Sequence, residues 1–143
     1  MIINYKHLNK RAHNPFKAHK EDACFDLRSA EGLTVPAHGY ATVCTELAIR
    51  IPAGYMGLIM SRSGLASGHG VFVLNAPGII DAGYTGQIKV VLANMDDFNY
   101  LIERGDKIAQ FTVMPLTQFS MLRGDNMVWS GTRGGEGFGS TGY

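Results

Sequence analysis

The chain has 143 residues, 45% of them hydrophobic, with 13 lysines and arginines against 12 acids, which is one domain's worth of sequence with material for a real core. A charge balance this close to zero excludes the broad positive field of a nucleic-acid binder, so any anionic ligand must be met by local donors. No apolar run reaches the length of a membrane span, and Met1-Ile2-Ile3-Asn4-Tyr5-Lys6 lacks a leader's basic-then-apolar pattern, so a cytoplasmic protein with no nucleic-acid or membrane partner is expected.

In chain order, the first segment of interest is Asp22-Ala23-Cys24-Phe25-Asp26-Leu27, which sets the Asp26 carboxylate between apolar neighbours. Such an acid can stand behind the waters of a magnesium–phosphate group, because Mg²⁺ prefers oxygen and keeps much of its hydration; it is equally an ordinary turn acid. Cys24 and Cys44 are the only cysteines and fit no metal-ligand spacing, so two reduced, buried thiols are expected.

Short apolar runs rich in β-branched residues follow: Leu47 to Ile51, Tyr55 to Met60, Val71 to Leu74, Ile88 to Leu92 and Ile108 to Met114. Turn residues such as Pro52-Ala53-Gly54 and Ala76-Pro77-Gly78 punctuate them. Helical periodicity is confined to a short piece from about Ser63 to Ser67, which Gly68 should end. The expected fold is all-β, a single-domain distorted jelly roll or β-barrel with one short helix.

Ser61-Arg62-Ser63-Gly64 stands where a strand gives way to that helical turn. Free N–H groups at a helix start, an arginine and two hydroxyls make an anion site, although a serine N-cap beside a solvated arginine would use the same letters. Gly78-Ile79-Ile80-Asp81-Ala82-Gly83-Tyr84-Thr85-Gly86 reads as a β-hairpin whose turn carries Asp81 and Tyr84; taken alone, these are common turn and strand residues. In Arg104-Gly105-Asp106-Lys107-Ile108-Ala109-Gln110-Phe111, a charged turn feeds a strand in which Gln110 is either exposed by alternation or aimed at a ligand.

From about Leu122 to Thr132 the text is irregular. The end, Arg133-Gly134-Gly135-Glu136-Gly137-Phe138-Gly139-Ser140-Thr141-Gly142, carries five glycines, one arginine, one ring and two adjacent hydroxyls. Glycine loses the most backbone entropy on ordering, so this arm is expected to be flexible and to order over a ligand. The expected division is a β-barrel core over 1–132 and a lid over 133–143.

These five segments, in this order, resemble the five motifs of the trimeric all-β dUTPases, deoxyuridine 5′-triphosphate nucleotidohydrolases. The resemblance implies hydrolysis of dUTP to dUMP and pyrophosphate, which limits uracil in DNA and supplies dUMP for dTMP synthesis. It also implies Mg²⁺ as cofactor and a homotrimer whose sites are built from more than one chain. Asp81 would be the general base that activates the attacking water. Tyr84 would lie under the deoxyribose and leave no room for a 2′-hydroxyl, while Asn75, Ile80 and the backbone near Lys89 would read the uracil, with Phe138 stacked over it. Arg62, Ser63, Gly64, Gln110, Arg133, Gly139, Ser140 and Thr141 would hold phosphates. Asp26 would position the hydrated metal, most of whose ligands would be phosphates.

Against the usual pattern, Cys24 replaces a glycine, Ser61 a proline and Glu136 a glycine; Lys89 is unusual beside the base-reading backbone, and Trp129 has no assigned role. A related enzyme, dCTP deaminase, places a catalytic glutamate ten residues beyond the hairpin aspartate, where this chain has Val91, and a branched apolar side chain cannot move protons. A regulatory protein that uses the dUTPase scaffold to grip a partner, with nucleotide as its switch, is the alternative function.

Overall fold

A computed structural model describes residues 1–125 and 127. Eleven strands and one helix follow each other among them: β1 (Asn4–His7), β2 (Phe25–Arg28), β3 (Leu33–Val35), β4 (Tyr40–Cys44), β5 (Leu47–Arg50), β6 (Tyr55–Met60), α1 (Ser63–His69), β7 (Val71–Val73), β8 (Gly78–Ile80), β9 (Lys89–Asn94), β10 (Tyr100–Ile102) and β11 (Lys107–Pro115). The all-β expectation holds. The five apolar runs all become strands, with Tyr55–Met60 recovered to the residue.

The strands form a four-stranded sheet in the order β2-β11-β6-β8, a three-stranded sheet β4-β9-β7, and the two-stranded ladders β1-β5 and β10-β3. One core lies between them. Leu27, Ile59 and Phe111 enter from the first sheet, Val43, Val73, Val90 and Leu92 from the second, and Leu47, Ile49, Val35 and Ile102 from the ladders. Strands such as β6 and β9, central in their sheets, carry runs of consecutive buried residues where half-buried strands would alternate.

Two local expectations are corrected. The helix does not end at Gly68 but runs to His69 and closes at Gly70, whose left-handed backbone (φ 62°) directs its N–H back to the Ala66 carbonyl. The segment 78–92 is not a paired hairpin. β8 pairs with β6, whereas β9 pairs with β4 and β7, so residues 81–88 cross from one sheet to the other. The Ile88 N–H bonds to the Leu47 carbonyl, which ties the end of that crossing to β5. Both cysteines are free, as expected, though only half-buried.

Candidate active site

The register of the first sheet builds one polar cluster. Gln110 on β11 faces Asp26 of β2 on one side and Met60 of β6 on the other, so the two strands deliver Asp26 and the Ser61-Arg62 turn to the same end of β11. Arg62 Nε donates to Asp26 Oδ1 at 3.0 Å, Lys107 Nζ lies 2.7 Å from Asp26 Oδ2, and Arg62 Nη1 donates to the Lys107 carbonyl at 3.0 Å. The Asp26 side chain is 18% exposed, so its pairing is far better shielded than the His38–Asp97 and Arg123–Asp125 contacts on the surface.

Ser61 is more than a backbone substitute for proline. Its Oγ accepts the Val73 N–H at 2.9 Å and its carbonyl accepts Gln110 Nε2 at 2.8 Å. The residue before Arg62 is thereby fixed to β7 and β11 at once. Arg62 itself occupies the N-cap of α1 with extended backbone, and no side chain caps the helix, so the serine-cap reading is set aside. Ser63 and Gly64 are exposed in its first turn, with open space where a Gly64 side chain would stand.

Asp26, Cys24 and Gln110 line a cavity of about 300 Å³ together with Phe16, Asp22 and Ala23. Burial pushes the Cys24 thiol up, partly offset by Lys17, which keeps it protonated at neutral pH. The thiol is packing beside the cluster.

The second cluster belongs to the crossing between sheets. Asp81, Ile80, Tyr84 and Lys89 line a cavity of about 280 Å³ with Ile79, Gln87 and Ile88. The Tyr84 N–H donates to the Asp81 carbonyl at 3.0 Å and its hydroxyl to the Gln87 carbonyl at 2.8 Å, which closes the turn and lays the ring over Gly86. A Cβ at Gly86 would fall 2.6 Å from the Tyr84 hydroxyl oxygen, so that ring position requires glycine. Among the described residues, no hydrogen bond or ion pair engages the Asp81 carboxylate. Among the described residues, Gln87 Nε2 is buried without a partner, a donor that nothing in the local sequence marks out.

Asn75 is exposed and does not line that cavity; its amide lies where a Gly78 side chain would reach it at 3.4 Å. Larger cavities of about 550 and 600 Å³ flank the other side of the crossing, lined in common by Asn4, Arg50, Ala82 and Gly83, and neither contains a carboxylate.

The two clusters do not meet within the chain. Ile80 pairs with Gly57, so Asp81 leaves the sheet at the N-terminal end of β6, while Arg62 follows its C-terminal end. The five residue steps from Gly57 to Arg62 correspond to roughly 16 Å of extended chain. Their cavities share no residue. Arg133, Phe138, Gly139, Ser140 and Thr141, and the 132/133 boundary, lie outside the described residues.

Lys107 was legible only as part of a charged turn. Its partnership with Asp26 depends on the pairing of Lys107 with Arg28 and on the register shift between Lys107 and Ala109, neither of which is written in local sequence. Among the described residues, no three His, Cys, Asp or Glu side chains gather to hold a metal, and no helix is long and apolar enough to cross a membrane.

A deoxyuridine 5′-triphosphate nucleotidohydrolase of Tropheryma whipplei is 43% identical over 136 residues, covering 94% of this chain and 92% of its own. The dUTPase of Staphylococcus bacteriophage 80alpha, solved with dUpNHpp and described among phage dUTPases that control transfer of virulence genes, superposes with a TM-score of 0.89 at 30% identity over 99% of each chain. A mutant dUTPase from phage phi11 of S. aureus, solved for its coordination of a structural Mg(II) ion, gives 0.79 at 28% identity over 88% of this chain and 98% of its own. The dUTPase family model matches residues 10–142, and with nearly every residue inside that match the chain belongs to the dUTPase family.

Proposed function

We propose that the chain is a dUTP diphosphatase, hydrolysing dUTP to dUMP and pyrophosphate. The observation that carries this is the Asp81 carboxylate, without a partner among the described residues, at a cavity shared with Tyr84, on a chain matched almost end to end by the dUTPase family. Water attacks the α-phosphorus, the bond to the α–β bridging oxygen breaks, pyrophosphate leaves, and the water's proton passes to Asp81. Aspartate is an intrinsically weak base, so alignment of the water carries most of the step. The ring of Tyr84 supports the deoxyribose, and the walls from Ile80 to Lys89 give the uracil its hydrogen-bonding edge. A base that leaves those polar groups unpaired is penalised.

Arg62 and Gln110, with Ser63 and Gly64 at the start of α1, hold the phosphates. The donor set suits Mg²⁺: Asp26 and Asp22 offer hard carboxylate oxygen at one cavity, and two acids leave the remaining positions to water and phosphate. Asp26 would hold the metal through water, and the metal, when bound, supplies neutralisation of the triphosphate charge. The separation of the Asp81 and Arg62 clusters supports a homotrimer in which one chain supplies the base and another the phosphate cluster.

Pyrophosphate release with dUTP, dTTP, dCTP and UTP, with and without Mg²⁺, tests the activity. Magnesium-stimulated release from dUTP alone is expected. Tight binding of dUpNHpp with no release from dUTP would favour the regulatory reading, which the description of the phage 80alpha relative supports.

Residues 133–143 are assigned as the segment that completes the site, Phe138 over the uracil and Arg133, Gly139, Ser140 and Thr141 on the phosphates, with 1–132 as the core. Deleting 133–143 should leave the far-ultraviolet β signature and the oligomer unchanged and lower turnover by about 10²–10³, the scale of losing preorganised donors from a charged transition state. Full activity after truncation would remove the segment from the mechanism.

A further inference from the structure

Both oxygens of the carboxylate assigned to the hydrated metal already carry a cation. Arg62 Nε is 3.0 Å from Asp26 Oδ1, and Lys107 Nζ is 2.7 Å from Oδ2. The two cations are held differently. Arg62 is tied a second time, its Nη1 donating to the Lys107 carbonyl at 3.0 Å, so its guanidinium fork has a fixed place. The Lys107 ammonium has Asp26 and the face of Phe16, 5.4 Å from the ring centroid. An ammonium on a four-carbon stem can exchange one anion for another while the backbone stays where Arg62 pins it.

A divalent metal approaching the nucleotide-free protein meets a carboxylate whose charge is already answered, and among the described residues no cluster of three or more ligating side chains offers an alternative. A triphosphate changes that balance. It brings negative charge that can draw the ammonium off and oxygen ligands that can complete the metal's shell. We infer that Lys107 is a resident counter-ion of Asp26, a positioning residue that occupies the metal's carboxylate until nucleotide and magnesium arrive together. The inference rests on the magnesium reading above and adds the order in which the charges assemble.

The test is calorimetric titration of dUpNHpp, in EDTA and in Mg²⁺, into wild type, Lys107→Gln and Lys107→Arg. In wild type, Mg²⁺ should tighten binding. In Lys107→Gln, metal-free binding should weaken because Asp26 then faces the triphosphate with one cation fewer, and Mg²⁺ should restore it. The enhancement by Mg²⁺ should therefore grow by about five- to tenfold, the scale of one charge-assisted contact. Lys107→Arg should keep the wild-type enhancement. A Lys107→Gln protein that binds more weakly by the same factor with and without metal would reduce Lys107 to a structural ion pair and overturn the inference. So would an Arg variant that behaves like Gln. Wild-type binding indifferent to Mg²⁺ would remove the magnesium reading together with this one.

Discussion

Asp81→Asn should lower dUTP turnover by about 10²–10⁴, the range spanned by a positioned general base, while affinity for dUpNHpp stays close to wild type. Asparagine keeps the shape of the side chain and loses its charge and, with it, the ability to take a proton. The structure makes this substitution unusually clean, because no described residue bonds the Asp81 carboxylate and its neutralisation leaves no cation unpaired. Asp26 offers the opposite case: an amide there would strand Arg62 and Lys107 together and mix a folding effect with a catalytic one. Steady-state pyrophosphate release beside calorimetric binding reads the two quantities separately. Wild-type turnover in Asp81→Asn would take the base role away from this residue.

The contrast between the two carboxylates was only half legible in the sequence. Local spelling placed Asp81 beside Tyr84 in a glycine-bounded turn and Asp26 between Phe25 and Leu27, and it picked out the most apolar strands, because runs such as Tyr55 to Met60 combine β-branched and apolar residues between turn signals. It passed over β1, β2, β3, β4 and β10, which are three to five residues long and draw their stability from partners far away in the chain. Asn4–His7 is exposed at every position and is a strand only because β5 pairs with it. Pairing between sequence neighbours was the natural assumption for the segment from Gly78 to Leu92, and it failed because β6 claims β8 while β4 and β7 claim β9. The tasks of Lys107 and Ser61 were hidden for the same reason. Lys107 meets Asp26 through cross-strand register, and Ser61 joins β7 to β11 through one hydroxyl and one carbonyl.

That register also dictates a result no single-chain site would give. Arg62→Gln should cost about 10²–10³ in turnover by withdrawing a charge from the phosphates, and Asp81→Asn is nearly dead by the argument above, yet an equimolar mixture of the two, unfolded and refolded together, should regain activity. Arg62 follows the C-terminal end of β6 and Asp81 leaves β8 near the N-terminal end of β6, roughly 16 Å of strand apart, so in the trimer proposed above a working site would take Arg62 from one chain and Asp81 from another. In randomly assembled mixtures of the proposed trimer, an intact Arg62 from an Asp81→Asn chain would meet an intact Asp81 from an Arg62→Gln chain at roughly a quarter of the sites, and the recovered rate should approach that fraction of wild type. Each variant refolded alone supplies the baseline. If both residues served a site within one chain, every site in the mixture would carry a lesion and no activity would return. Pyrophosphate release from the mixture, set against the two homogeneous preparations, therefore measures directly whether the gap between the clusters is closed by a second subunit.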